Sequence, residues 1–279
     1  MSDTPALESH PKPDIEDDEV ESSRAPLLDH LIELRKRLIW CMVYLIIGAG
    51  ICFAFRAELY TFLVAPMVNV AQVEMSEIEF RLIYTAPLEV FFAYLSLSLF
   101  GGFLIAFPLI AWQVYAFVAP GLYRNEKRAV LPFMVATPLL FGLGAAFVYY
   151  LMLPLLSRFA LSFAQPGAEG VAQIDPQIKV SEYLSLVMKL IIAFGVCFQL
   201  PVVLSLMGRA GMVGADSLRK GRKYAIVAIL AVAMIMTPPD VFSQILLTVP
   251  VYILYELSIF IVAGFEKKLA EEEAEREGS

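Results

Sequence analysis

The chain has 279 residues, of which 59% are hydrophobic and 18% are charged, and its mean hydropathy is +0.70. Soluble domains carry charges on roughly a quarter of their residues, so this composition argues against a soluble globular protein. The charges cluster between long apolar runs, which is typical of a protein that crosses a membrane several times. The net charge of −7 comes largely from residues 16–21 and 271–277, and it gives no reason to expect a nucleic-acid partner.

The N-terminal region changes character at residue 27. Residues 1–26 are rich in proline and acidic side chains, which predicts a flexible cytoplasmic tail without the apolar core of a cleavable signal peptide. Apolar residues then recur at helical spacing over 27–38, which predicts an amphipathic helix at the membrane surface. Residues 27–265 are expected to form one transmembrane domain, and residues 266–279 a second acidic cytoplasmic tail.

Six apolar runs predict an all-α protein with six transmembrane helices. Their bounds are 39–55, 88–112, 130–153, 184–207, 224–237 and 241–265. The second helix is expected to continue over 113–120, and residues 56–86 and 154–181 are expected to be long polar loops. The fifth run has only 14 residues, or about 21 Å of helix, against a hydrocarbon core of about 30 Å.

The basic residues predict the orientation of the chain. Of the 21 lysines and arginines, 16 fall in the segments on one side of the predicted membrane. The positive-inside rule therefore places both termini in the cytoplasm.

Catalytic and metal-binding patterns are missing from the sequence. It contains two histidines, no H-E-x-x-H, no G-x-S-x-G and no glycine-rich phosphate loop. We therefore expect no enzymatic activity, no cofactor and no metal. The three cysteines lie within apolar runs and are expected to be unpaired thiols.

Two carboxylates at the predicted cytoplasmic side have two interpretations. Glu33 precedes the first crossing, and Glu126 lies in the short turn between the second and third. Both could be neutralised locally, Glu33 by Arg37 at i,i+4. Both could instead bind a cationic peptide, since each carboxylate can accept two parallel hydrogen bonds from an arginine but not from a lysine.

Polar residues at membrane depth also leave alternatives open. Lys189, Gln199 and Glu256 could line a pathway for a small solute, or they could bond neighbouring helices. Lys189 could also extend its ammonium group outward to the membrane surface. Asp240 could be a functional polar group at the outer end of the last helix, or it could only be the N-cap residue of that helix.

Four motifs in the expected order resemble the TatC component of the bacterial twin-arginine protein translocase. They are H-L-I-E-L-R-K-R-L at 30–38, F-V-A-P-G-L-Y-R-N-E-K-R at 117–128, A-F-G-V-C-F-Q-L-P at 193–201 and T-P-P-D-V-F-S-Q at 237–244. The resemblance extends over about residues 27–265. It implies a receptor in the cytoplasmic membrane for folded proteins with twin-arginine signal peptides.

The resemblance also implies roles for particular residues. Glu33, Glu126 and Phe117 match positions that contact the arginine pair, and Arg35 and Gln113 match further positions of that surface. Other matched positions are linked to partner subunits or to function more generally. The positions linked to partner subunits are matched by Met234, Thr237 and Gln244. Those linked to function more generally are matched by Pro66, Gln199 and Asp240.

The resemblance further implies a concave six-helix body whose last two helices are short. Single-span TatB-type and TatA-type partners would dock on the fifth and sixth helices, in a homo-oligomeric complex driven by the proton-motive force. Some members carry glutamate where this chain has Gln199, so a proton relay at this position is not expected here. A small-solute secondary transporter is the alternative function, and it predicts uptake without any partner protein.

Overall fold

The structure, a computed structural model, describes residues 15–74, 81–122, 131–164, 176–236 and 241–277. In chain order its elements are α1 (Ile15–Ala54), α2 (Arg56–Glu74), β1 (Leu82–Ile83), α3 (Glu89–Leu122), α4 (Leu131–Phe147), a π-helical segment (Val148–Met152), α5 (Leu153–Leu161), β2 (Ile178–Lys179), α6 (Val180–Cys197), α7 (Leu200–Arg209), α8 (Ala215–Met236) and α9 (Val241–Glu277). The all-α class is confirmed.

Five stretches are long and apolar enough to cross a membrane. They are His30–Ala54, Glu89–Phe117, Pro132–Leu161, Val180–Arg209 and Ser243–Lys268. They coincide with five of the six predicted crossings. The fifth predicted crossing lies in α8, whose first half carries four basic residues and leaves a short apolar part. The count of six crossings therefore stays a prediction.

The first two spans, α1 and α3, pack closely through glycine. A Cβ atom added at Gly48 would lie 2.8 Å from the carbonyl oxygen of Gly102, so neither backbone leaves room for a side chain there. Contacts toward the N-terminus of α1 involve residues nearer the C-terminus of α3, so the two helices are antiparallel. Small residues at the contact allow this close approach of two membrane helices.

Residues 56–86 are not a polar loop throughout, because most of them form α2, a helix of 19 residues. Its buried side chains Leu63, Val64, Met67, Val70 and Ala71 recur at helical spacing and join the main hydrophobic core. The rest of this region pairs with the second long loop. Leu82 and Ile83 form a short parallel ladder with Ile178 and Lys179.

Helix α6 lies at the centre of the core. Its side chains Leu184, Val187, Leu190 and Phe194 are at most 1% exposed. A Cβ atom at Gly144 of α4 would lie 2.8 Å from the carbonyl oxygen of Phe194, so α4 and α6 are in backbone contact. This packing fixes one face of α6 and leaves the opposite face outside the core.

Two prolines interrupt the third and fourth spans. Before Pro154 the chain widens into the π-helical segment, where the N–H of Leu153 donates to the carbonyl of Val148. Between α6 and α7, Pro201 has no N–H with which to continue the helix. The N–H of Gln199 instead donates to the carbonyl of Val196 at 2.9 Å.

The two terminal helices are longer than the sequence suggested. Helix α1 has 40 residues, so the predicted surface helix and the first crossing are one continuous helix. The expectation of a short last helix is wrong, since α9 has 37 residues. Its continuation carries pairs such as Lys267 and Glu271, 3.7 Å apart at i,i+4, which support a helix beyond the apolar run. The flexibility of either tail stays a prediction.

Candidate functional site

The predicted site residues Glu33 and Gln113 are brought together by Arg37. The Nε and Nη2 atoms of Arg37 donate to Oε1 of Glu33 at 3.0 Å and 2.5 Å. Its Nη1 atom donates to Oε1 of Gln113 at 3.2 Å. The arginine therefore bonds a carboxylate on its own helix, α1, and an amide on α3. The pairing of Glu33 with Arg37 within α1 is therefore present. The bond from Arg37 to Gln113 on α3 was not predicted from the sequence.

The carboxylate of Glu33 is only partly occupied. Both bonds from Arg37 end on Oε1, and Oε2 accepts no hydrogen bond from the part of the chain that the structure describes. The side chains of Arg37 and Glu33 are 24% and 39% exposed. Glu33 therefore keeps one oxygen without a partner among the described residues, on a side chain that is partly open to solvent.

An aromatic pair lies one turn further along the same two helices. The ring of His30 stacks on that of Phe117, with centroids 4.2 Å apart and an angle of 17° between the planes. His30, Glu33 and Arg37 share one face of α1, since they are spaced by three and four residues. Gln113 and Phe117 share one face of α3 for the same reason. Sequence reasoning missed His30, although this spacing could have indicated it.

Two further predicted site residues are not part of this cluster. Arg35 is exposed and lies two residues from Glu33 and from Arg37, which places it on another side of α1. Glu126 lies outside the described residues. We use the name α1–α3 cluster for His30, Glu33, Arg37, Gln113 and Phe117.

Comparison with known proteins places these features in a family. The family model described as Sec-independent protein translocase protein (TatC) matches residues 29–250, which include the whole α1–α3 cluster. This chain belongs to the TatC family. The resemblance drawn from the four motifs is thereby confirmed.

Relatives and a solved structure agree along most of the chain. The TatC protein of Magnetococcus marinus is 42% identical over 254 residues, which cover 91% of this chain and 90% of that protein. The TatC protein of Escherichia coli strain K12 is 39% identical over 235 residues, covering 84% and 87%. A crystal structure of the twin arginine translocase receptor TatC has a TM-score of 0.72 at 38% identity, covering 85% of this chain and 99% of that one.

The surface expected to contact partner subunits in this TatC-family chain is partly described. Met234 on α8 is 61% exposed. Gln244 on α9 is half-buried, and its Nε2 atom donates to the carbonyl of Leu230 at 3.3 Å, which ties α9 to α8. Thr237 and Asp240 lie outside the described residues, so the capping of α9 by Asp240 stays a prediction.

Gln199 connects helices. Its Nε2 atom donates to the carbonyls of Thr137 at 3.1 Å and Gly195 at 3.2 Å. The hydroxyl of Thr137 in turn lies 2.6 Å from that of Tyr115. Oε1 of Gln199 is buried and has no hydrogen-bond partner among the described residues. These contacts favour the helix-bonding interpretation of Gln199.

Glu256 is paired with groups on α8 and α9. Its Oε1 atom lies 2.8 Å from Nε of Arg222 and accepts a hydrogen bond of 2.7 Å from the hydroxyl of Tyr252. Gln199 contacts α4, Glu256 pairs with Arg222, and Lys189 is exposed on α6. Among the described residues, the three polar groups considered for a solute pathway are therefore not joined to one another.

Pro66 is buried inside α2 and lines a groove of about 440 Å³. Beside it the rings of Phe62 and Tyr149 stack 4.4 Å apart, and the hydroxyl of Tyr149 donates to the carbonyl of Phe62 at 2.9 Å. The contact joins α2 to the π-helical segment. Pro66 thus lies near the junction of these two elements and is not part of the α1–α3 cluster.

Proposed function

We propose that this protein is the receptor and assembly core of a twin-arginine translocase, which binds the signal peptides of folded proteins for export. The α1–α3 cluster is the observation that supports this most directly. It combines a partly free carboxylate, an amide and an aromatic ring on two packed helices, all within the part of the chain that matches the TatC family.

The chemistry of the cluster suits a guanidinium group. Oε2 of Glu33 accepts a charge-assisted hydrogen bond, which contributes about 1.5–3 kcal/mol. The Phe117 ring is partly exposed, and an aromatic ring attracts a cation. Glu126 supplies the second carboxylate, as its place in the matching motif suggests. A lysine offers neither the planar fork nor the same stacking, so the site discriminates against it.

Other parts of the chain serve assembly and transport in this proposal. The protein lies in the cytoplasmic membrane with six crossings and both termini in the cytoplasm. The apolar part of the signal peptide inserts along the concave helix surface. TatB-type and TatA-type single-span proteins contact Met234, Thr237 and Gln244, several copies assemble, and the proton-motive force drives transport. Pro66 and Asp240 maintain the outer ends of the helices.

A peptide-binding experiment tests the receptor function. Membrane vesicles with the full-length protein are titrated with a fluorescent twin-arginine peptide and with its Lys-Lys version. We expect tight binding of the Arg-Arg peptide only, and loss of that binding in the Glu33→Gln, Glu126→Gln double variant.

Glu58→Gln is the matched control. Glu58 is an exposed carboxylate at the start of α2, outside the α1–α3 cluster, and its replacement should leave the affinity unchanged. Equal binding of both peptides, or binding that survives the double variant, would overturn the proposal.

A further inference from the structure

Lys189 is the one charged residue between positions 183 and 208 of the Val180–Arg209 span. Its side chain is exposed, and no ion pair to it is formed by the residues that the structure describes. If the Val180–Arg209 span is centred in the bilayer, Lys189 lies about 8 Å along α6 from the midplane, inside a hydrocarbon core of about 30 Å. An unpaired ammonium group at this depth is unfavourable.

The side chains around Lys189 form a regular stripe. Glu182, Ser185, Lys189, Ile192 and Val196 are spaced alternately by three and four residues, and all are exposed or partly exposed. We call this stripe the α6 seam. The opposite face of α6 is fixed in the core, so the seam faces away from the rest of the protein.

Residues that alternate in spacing by three and four also form the contact surface between helices whose axes cross at about 20°. Ser185 is small and permits close approach of a second helix next to Lys189. Ile192 and Val196, which are 37% and 57% exposed, supply apolar contact area on the far side. The seam therefore combines an apolar docking surface with a single cation at a defined depth.

The charge distribution selects among possible anions. At the outer end of the seam, Glu182 is paired with Lys179 at 3.5 Å, so this end offers no unpaired positive charge to the phosphate of an anionic lipid. Lys189 lies two turns deeper, below the level of the headgroups. An anion on a neighbouring transmembrane helix can reach this depth without passing Glu182.

We propose that the α6 seam docks a transmembrane helix that carries one carboxylate at the level of Lys189. The ion pair forms between the ammonium of Lys189 and this carboxylate, while Ile192 and Val196 pack against apolar side chains of the incoming helix. This surface is separate from the one that contains Met234 and Gln244. The proposal does not depend on signal-peptide binding.

A model helix tests the seam directly. The probe is a Leu/Ala peptide of about 23 residues with a single glutamate at the depth of Lys189, and its control carries glutamine at the same position. Association with the full-length protein in phosphatidylcholine vesicles is measured by energy transfer. We expect the glutamate peptide to bind roughly tenfold more tightly than the glutamine peptide.

Three variants separate the contribution of Lys189 from general effects. Lys189→Gln should abolish the difference between the two peptides, and Lys189→Arg should retain it. Lys220→Gln, at an exposed lysine of α8 outside the five long spans, should leave it unchanged. Thermal unfolding in detergent is measured on the same samples as an independent check of folding, and the midpoint should be the same in all of them.

Two results would overturn the proposal. One is equal binding of the glutamate and glutamine peptides to the wild-type protein. The other is a preference for the glutamate peptide that persists in Lys189→Gln. If Lys189 instead changes only the response to added phosphatidylglycerol, it is a lipid contact and not a helix-docking residue. Failure here would leave the receptor proposal intact, since that rests on the α1–α3 cluster.

Discussion

In the proposed receptor, Arg37 limits which atoms of Glu33 a peptide can reach. Because its Nε and Nη2 atoms both bond Oε1, an incoming guanidinium finds Oε2 and not a complete two-oxygen fork. The third bond of Arg37, to Gln113, restrains the arginine from turning away. We infer that Arg37 is a positioning residue that holds the carboxylate in one orientation.

Replacing Arg37 with lysine tests this role. Lysine keeps the charge, but its single ammonium group cannot reproduce bonds from three separate nitrogens. We expect roughly tenfold weaker binding of the twin-arginine peptide, which corresponds to loss of about 1.4 kcal/mol. Titration of vesicles measures the affinity. Lys36→Arg, at an exposed neighbouring position, is the control. Unchanged affinity in Arg37→Lys would show that the bridge to Gln113 is not needed.

The stacked pair of His30 and Phe117 gives a second test at this scale. An aromatic pair contributes about 0.5–1.5 kcal/mol beyond its buried area. We expect His30→Ala to weaken peptide binding by roughly two- to tenfold, because the Phe117 ring loses its support. His30→Phe should restore most of the affinity, as it keeps a ring in the stack. If both variants bind equally poorly, a polar property of His30 is responsible.

Close helix contacts determine where these side chains lie. The antiparallel pair α1 and α3 carries the whole α1–α3 cluster, and its separation is set where Gly48 meets the backbone of Gly102. Any side chain at this crossing must push the two helices apart. The geometry of the site thus depends on a contact more than two turns away along each helix.

Two glycines of α1 provide a matched comparison. A Cβ atom at Gly48 would meet backbone, whereas one at Gly50 would meet nothing within 4 Å. We expect Gly48→Ala to lower stability by about 1–3 kcal/mol, as overpacking does. Gly50→Ala should be neutral or slightly stabilising, since alanine favours helix. Thermal unfolding in detergent and peptide titration measure both effects. Equal behaviour of the two variants would contradict a tight crossing.

Helices α8 and α9 are joined by a polar contact at the element scale. Arg222 donates to Glu256, and Tyr252 donates to the same carboxylate. We expect Glu256→Gln to loosen this pair and reduce cross-linking between cysteines placed on facing positions of α8 and α9. Glu271→Gln, at an exposed position further along α9, serves as the control. Unchanged cross-linking would show that apolar packing alone holds the two helices together.

For the whole molecule, the open question of topology concerns α8. Five spans have the length and hydropathy for crossing, and α8 is shorter in its apolar part than any of them. If α8 does cross, its first turns and the start of α9 lie on opposite sides of the membrane.

Cysteine labelling tests this arrangement. Single cysteines replace Lys220 or Val241, both exposed, in a protein whose three native cysteines are changed to alanine. We expect an impermeant maleimide to label the two positions from opposite sides in right-side-out and inverted vesicles. Labelling of both from one side would mean that α8 does not cross. A cysteine in place of the exposed Ala274 marks the side of the C-terminus, which we expect to match that of Lys220.

The sequence by itself determined the helical membrane class, five stretches able to cross a membrane, the family and the pairing of Glu33 with Arg37. These features are local, since apolar run length, motif order and i,i+4 spacing can be counted along one chain. The tertiary structure alone decided that Arg37 meets Gln113, 76 residues away, and that His30 stacks on Phe117. It also decided that Glu256 pairs with Arg222 and that Lys189 is left outside the core. Such contacts arise from the packing of whole helices, which no pattern within a single helix encodes.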